Sequence, residues 1–382
     1  MTSYSEYGQL RKVLLGTVED YKPSCWAWKA QTNVNAEDFA NAVAICDAAI
    51  PGQIIDEVAE DLLDYELALE TLGVEVIRPP RISNAPVYET DVLYSFGRDF
   101  YNIRDLHIVF GEKIIASAPS QPNRILEINE LRDFVAKVAN ELGLAYIACP
   151  TPRLITNPVY PNIRNSSGDL EFTEEVLAAN LGSITHEIWH RLTENEILFD
   201  AANIVRYNEQ ALYLVSSTGN KKAFDWLKLN VPDFNFRMTD VYRSSHIDST
   251  ILPLDEETFL VNSVRVNTSN IPQSIKDKKI LYFNDVARIP DTEIRFHQEY
   301  RATAAAQLES LGFESNLQDM SSPWAGMNVL SINTKTVMVE SNQIELIRFL
   351  ESSGFEVIPI RMRHAYTMLG GLHCTTLDLV RD

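Results

Sequence analysis

Four times along the chain an amphipathic helix runs into a single glycine and then directly into a short apolar strand. In the first copy Val58, Leu62, Tyr65, Leu69 and Leu72 recur at helical spacing, Gly73 ends the helix, and Val74-Glu75-Val76-Ile77 follows. The phrase returns from Leu126 to Leu142 with Gly143 and Leu144-Ala145-Tyr146-Ile147. It returns again from Ala302 to Leu311 with Gly312 and Phe313, and through Ile344, Ile347 and Leu350 to Gly354 and Phe355-Glu356-Val357-Ile358. A weaker copy lies near Trp226–Phe236.

Strand pairs lie between these phrases: Leu106–Phe110 with Lys113–Ser117 across Gly111-Glu112, Ala211–Ser216, Thr258–Asn262, and Val329–Ile332 with Thr336–Glu340. A unit met about five times predicts an α/β repeat architecture whose modules bury each other's faces. The competing explanation is ordinary α/β alternation, in which helices also end at glycine. Strand pairs inside the unit argue against a simple parallel doubly wound sheet. No GxGxxG or GxxxxGK[ST] loop is present to cradle a phosphate, so no nucleotide cofactor is expected. No linker or low-complexity stretch divides the chain, and residues 1–382 are read as one domain.

With 45% hydrophobic and 23% charged residues the chain has the composition of a globular protein that folds by burial. Its 33 Lys+Arg against 53 Asp+Glu leave a net charge of −20 with no basic block, which disfavours nucleic acid and anionic lipid as partners and suits a cationic substrate. The opening residues lack a signal-peptide pattern, and no window approaches the ~18 apolar residues of a membrane span; a cytoplasmic location is the expectation. The four cysteines, Cys25, Cys46, Cys149 and Cys374, lie far apart without a CxxC, so each is judged alone.

Three clusters carry chemistry. In Leu369-Gly370-Gly371-Leu372-His373-Cys374-Thr375-Thr376-Leu377-Asp378 two glycines let the backbone turn sharply beside a ligand and place Cys374 where it can be exposed rather than packed, as a candidate nucleophile. Cys46 and Cys149 read instead as small buried hydrophobes. In Arg243-Ser244-Ser245-His246-Ile247-Asp248-Ser249-Thr250 a strand-like period of two places His246 and Asp248 on one face, as a general acid/base with an electrostatic helper requires. The alternative is a polar, hydrogen-bonded strand end. In Phe199-Asp200-Ala201-Ala202-Asn203, Asp200 stands among small apolar neighbours, where a carboxylate needs a cation or donors to stay charged; otherwise it caps a turn.

His186-Glu187-Ile188-Trp189-His190 matches HExxH, in which two histidines one helical turn apart hold zinc. A third ligand is wanting: Glu194 and Glu196 stand too close in sequence to come readily from another helix, and no metzincin extension follows. An exposed helix is the preferred reading of this segment, and no metal is expected.

In chain order, F-D-A-A-N, S-H-I-D-S-T and G-G-L-H-C-T-T-L-D resemble the amidinotransferases of the guanidino-modifying (pentein) superfamily. Ser3-Tyr4-Ser5-Glu6-Tyr7 with Val13-Leu14-Leu15-Gly16, then Arg104-Asp105, and Ser322-Pro323-Trp324-Ala325-Gly326-Met327-Asn328-Val329 extend the likeness over essentially the whole chain. The stretch Phe199–Asn267 is most similar to inosamine-phosphate amidinotransferases, with glycine amidinotransferase more distant. The resemblance implies a five-module ββαβ propeller, small-molecule substrates, no cofactor, and a homodimer as a family expectation.

It also implies the chemistry. Cys374, as a thiolate whose pKa is lowered by the bound cation and a neighbouring imidazolium, would attack the guanidinium carbon of arginine. His246 would protonate departing ornithine and then deprotonate an acceptor amine; Asp200 and Asp248 would clamp the guanidinium, with Asp200 also orienting His246. Asp105 would contribute to substrate binding, and Arg265 with Ser321 or Ser322 would hold the amino-acid end of arginine. Arg243 and Ser245 stand where such enzymes vary with their acceptor. Leu369 and Leu372 depart from the family pattern, which has a third glycine and an aromatic at these places. An arginine deiminase is the nearest functional neighbour of such a transferase.

Overall fold

A computed structural model describes residues 3–29, 33–82, 87–153, 192–242, 245–318 and 320–382. Five three-stranded sheets share one topology: an antiparallel pair, then a third strand parallel to the middle one. They are Thr376–Arg381/Leu10–Leu15/Glu75–Ile77, His107–Phe110/Lys113–Ala116/Ala145–Ala148, Ile204–Tyr207/Gln210–Leu214/Asn235–Thr239, Ile251–Pro253/Thr258–Asn262/Lys279–Phe283 and Leu330–Ser331/Thr336–Glu340/Glu356–Ile360. A sixth sheet is wholly antiparallel, with order Glu314–Ser315, Lys22–Trp28, Leu93–Arg98, Val87–Glu89.

The parallel step needs a crossover, and four sheets use a helix for it: Gly52–Thr71, Pro122–Glu141, Lys221–Asn230 and Ile344–Ser352. After three of these, and after Ala302–Ser310, the chain turns on a glycine in the left-handed region, with φ of 78° at Gly73 and 99° at Gly354. Nothing lies within 4 Å of a built Cβ at either place, so conformation rather than space calls for glycine there. In one respect the repeat differs from the sequence reading. The Ala302–Leu311 phrase feeds the sixth sheet through Glu314–Ser315, while the crossover from Thr258–Asn262 to Lys279–Phe283 is built of turns. The helical period of residues 302–311 marked a helix correctly but could not say which sheet receives its strand.

The first sheet pairs strands from opposite ends of the chain, Leu14 opposite Leu377 and Leu15 opposite Thr376. Leu10, Val13, Leu14 and Leu15 are all fully buried, each contributing roughly 1.5–3 kcal/mol of hydrophobic stabilisation. This closure brings residues 3–6 against the segment that carries Cys374. Ser3 exchanges backbone bonds with Gly111, and the Glu6 amide donates to the Arg206 carbonyl. Cys25, Cys46 and Cys149 are buried and unbridged, as small core residues are.

Candidate active site

Three short turns and one loop converge on a cluster of acids, imidazoles and a thiol. Asp105 ends the 3-10 turn Ile103–Asp105, and Asp200 immediately precedes the turn Ala201–Asn203 without capping it. The Asp200 carboxylate instead lies 2.9 Å from His246 Nε2, and Asp105 Oδ1 lies 3.7 Å from His246 Nδ1. Asp105 also accepts from Arg124 Nη2 at 3.1 Å. His246 is thus held between two carboxylates.

The segment from Ser245 to Thr250 is a turn, not the strand that a period of two suggested. His246 has φ of 46°, a region few non-glycine residues adopt, and such strain concentrates at functional sites. The Tyr242 hydroxyl donates to the His246 carbonyl, and the Ile247 amide donates to Ala202 O at 3.0 Å, fixing the turn against the Asp200 motif. His246 and Asp248 still share one site, through a tight turn rather than by strand alternation.

Cys374 is buried, 8% exposed, where the glycine pair had suggested an exposed thiol. Its amide donates to Asn328 Oδ1 at 2.8 Å, Asn328 Nδ2 donates to the Asp248 carbonyl at 3.3 Å, and the thiol donates to Asp248 Oδ2 at 3.5 Å. One asparagine therefore ties the loop that carries Cys374 to the His246–Asp248 turn. The glycines before Cys374 answer a need for space. A Cβ on Gly370 would lie 1.9 Å from Asn102 Oδ1, and one on Gly371 would lie 2.9 Å from Asn328 Cβ. The left-handed residue of this loop is Leu369, φ 61°, which gives a physical reason why a glycine suits that place.

The electrostatics are set by burial and by which charges face each other. Burial alone would lower the His246 pKa, but the Asp105 and Asp200 carboxylates outweigh it and raise it to about 9. Burial pushes Asp105 up to about 6, even with His246 and Arg124 opposing. The Cys374 thiol stands well above its ordinary value, because of burial and then the carboxylates of Asp248 and Asp105. The lowered thiol pKa expected from the sequence is therefore not a property of the substrate-free site.

Arg265 is buried, donates to Thr250 Oγ1 at 3.1 Å and places its guanidinium 4.9 Å from the Tyr242 ring centre. These two partners, Tyr242 and Thr250, flank His246 along the chain. Ser322 uses its hydroxyl to cap the turn Pro323–Met327, and the Ser321 amide donates to Tyr366 O at 3.4 Å. Both serines are half-buried, and no measured contact joins them to the acid cluster. Ser245 is exposed beside His246. Arg243 lies outside the described residues, and so do His186 and His190 with the rest of HEIWH. Among the described residues no group of three or more His, Cys, Asp or Glu side chains could hold a metal ion, and no helix is long and apolar enough to cross a membrane.

Sequence reasoning did not assign roles to Asn328, Arg124 or His373. Asn328 and His373 stood inside quoted motifs, which was the available signal. Their partners, 46 and 125 positions away, were not visible.

Comparison with known proteins decides the kinship. Inosamine-phosphate amidinotransferase 1 of Streptomyces griseus is 29% identical over 385 residues, covering 99% of this chain and 96% of the relative. The chain is a relative of the amidinotransferases. Glycine amidinotransferase of Gallus gallus is 24% identical over 385 residues, covering 99% and 82%. Among solved structures, an amidinotransferase from Microseira wollei in the saxitoxin biosynthetic pathway superposes with a TM-score of 0.74 at 26% identity, over 100% of this chain and 97% of that one. The dimethylarginine dimethylaminohydrolase of Pseudomonas aeruginosa matches at a TM-score of 0.54 and 11% identity, a likeness of fold alone. No family model matches the chain. With these relatives the chain is an enzyme of the transferase class, and its fold is the pentein α/β fold.

Proposed function

We propose that the protein is an L-arginine:amine amidinotransferase acting through an amidino-cysteine intermediate, and that its five like sheets are the five modules of a pentein propeller. The observation that carries the reading is the geometry around two side chains: a thiol on the Asp248 carboxylate at 3.5 Å, and an imidazole between Asp200 and Asp105. Delocalised charge makes a guanidinium carbon a poor electrophile, so the site must hold the group, supply a strong nucleophile and protonate the leaving amine.

Asp248, Asp200 and Asp105 supply acceptors for a planar cation with several N–H donors. The bound cation would offset the carboxylate charge that holds the Cys374 proton, so the thiol gives its proton up to solvent as arginine arrives and is left as the thiolate. Its sulfur attacks the guanidinium carbon, the bond from that carbon to the ornithine nitrogen breaks, and His246 gives that nitrogen a proton. His246, now neutral, takes a proton from an incoming primary amine. The amine nitrogen bonds to the amidino carbon, the C–S bond breaks with its electron pair going to sulfur, and once the guanidino product leaves, the thiolate takes a proton back from solvent to restore the free thiol. Transfer rather than hydrolysis is supported by full-length kinship with amidinotransferases acting on different amines.

Incubation with L-arginine, with and without a panel of primary amines, tests this. An amidino adduct by intact mass, absent from Cys374→Ala, with ornithine release that depends on acceptor, is the expected outcome. Citrulline formed without an acceptor would make the protein a deiminase, and the absence of both adduct and product would overturn the reading.

A further inference from the structure

A second histidine lies deeper, outside the steps above. His373 is almost fully buried, with a side-chain exposure of 3%. Its Nδ1 lies 2.9 Å from Asp248 Oδ2, and its Nε2 lies 3.4 Å from Glu6 Oε2. A neutral imidazole carries one N–H, so one ring nitrogen would turn its lone pair on a carboxylate. Only the doubly protonated ring satisfies both contacts. The surrounding charges are fixed: Arg104 and Arg206 both pair with Glu6 and with Asp378, all four buried. Asp248 Oδ2, the oxygen that accepts from His373, also accepts from the Cys374 thiol.

We propose that His373 is a positioning residue, a permanent buried imidazolium that keeps the Asp248 carboxylate ionised and aimed for the substrate guanidinium, and that anchors this arrangement to the N-terminal segment through Glu6. It acts through Asp248 and touches no reacting atom. The inference deepens the amidinotransferase reading and rests on it for the substrate. Its neighbourhood agrees: burial and Arg104 work against the His373 proton, yet Asp248 and Glu6 raise its pKa, while burial works against the Asp248 charge and His373, with His246 and Arg104 adding to it, still holds that carboxyl below its ordinary value.

The first test needs no turnover. In protein labelled with ¹⁵N-histidine and without arginine, with His373→Gln assigning the signal, both ring nitrogens of His373 should remain protonated at pH 8. A neutral tautomer at that pH overturns the proposal. The second reads substrate. His373→Gln should raise the arginine KM about tenfold or more while changing kcat less. It should also move the acid limb of arginine kcat/KM upward by about one pH unit, as Asp248 joins the titration. Unchanged KM and acid limb, with only a lower melting temperature or a smaller fraction of titratable Cys374, would mean a merely structural histidine. A parent protein that forms no amidino adduct would sink the amidinotransferase reading, and the nitrogen signals would still decide the state of His373.

Discussion

His246 and His373 each sit between two carboxylates, and the structure treats them in opposite ways. The His246 side chain is 22% exposed on a strained turn, and its neighbour Asp105 stands at about 6, inside the range where protons exchange at moderate pH. The carboxylates on His373 are both depressed, Glu6 by Arg104 and Arg206 against the cost of burial, and Asp248 by His373 itself. A proton carrier needs partners poised to trade charge and a route to solvent. A structural cation needs partners locked ionised by arginines.

The sharpest way to break this comparison is His246→Asn. With His246 as the proposed proton carrier, its loss should cost about 10²- to 10⁴-fold in ornithine release under single turnover, with the fold intact. In the parent, kcat/KM for arginine should fall below about pH 6 as Asp105 protonates, and above about pH 9 as His246 deprotonates; the variant should lose the alkaline limb. The same shift links to stability. A folded pKa raised from the ordinary 6.5 to about 9 gives stabilisation fully present below pH 6.5 and lost as pH rises through 9. The parent's melting temperature should therefore drop more than the variant's between pH 7 and 9.5. Equal drops would mean that His246 is not held charged.

Asp378→Asn tests the other half. Asp378 is held down to about 2, with Arg206, Arg381 and Arg104 outweighing burial, so the substitution leaves buried guanidinium groups short of a partner. Removing one member of such a network costs about 3–5 kcal/mol, a large share of a typical stability of 5–15 kcal/mol. Chemical denaturation should show that loss, and the molecules that remain folded should keep the alkaline limb near 9. A shifted limb would mean that the two histidines are electrically coupled and that the contrast between them is false.

Much of the fold was legible because periodicity is local. The helices ending at Gly73, Gly143, Gly312 and Gly354 and the strand Thr258–Asn262 were all read from spacing and a helix-stopping residue. Which strand pairs with which is not local, and the phrase through residues 302–311 could not announce its place in the sixth sheet. The same limit applied at the site. Cys374, His246 and Asp200 were legible as chemically unusual residues inside motifs, but Asp105, named only through the family resemblance, meets His246 from a separate turn, and Arg124 reaches Asp105 from the helix Pro122–Glu141. The thiol's raised pKa could not be foreseen, because it depends on Asp248 and on burial.

The smallest effect concerns the loop that joins the two regions. Leu369 holds φ of 61° just ahead of Gly370 and Gly371, whose lack of side chains lets the loop press against Asn102 and Asn328. A left-handed leucine costs about 1–2 kcal/mol. Leu369→Gly removes that strain, but it frees the unfolded chain, an opposing effect of about 0.4–1 kcal/mol, and gives up the packing of a half-buried side chain. The terms nearly cancel, so denaturation should move by less than about 1 kcal/mol. Because Asn328 and the two glycines already fix the path of the loop, arginine kcat/KM should stay within about threefold, or ~0.7 kcal/mol. A larger loss of activity at unchanged stability would show that the Leu369 side chain shapes the substrate pocket, and would place the family departure at this position in recognition rather than in backbone strain.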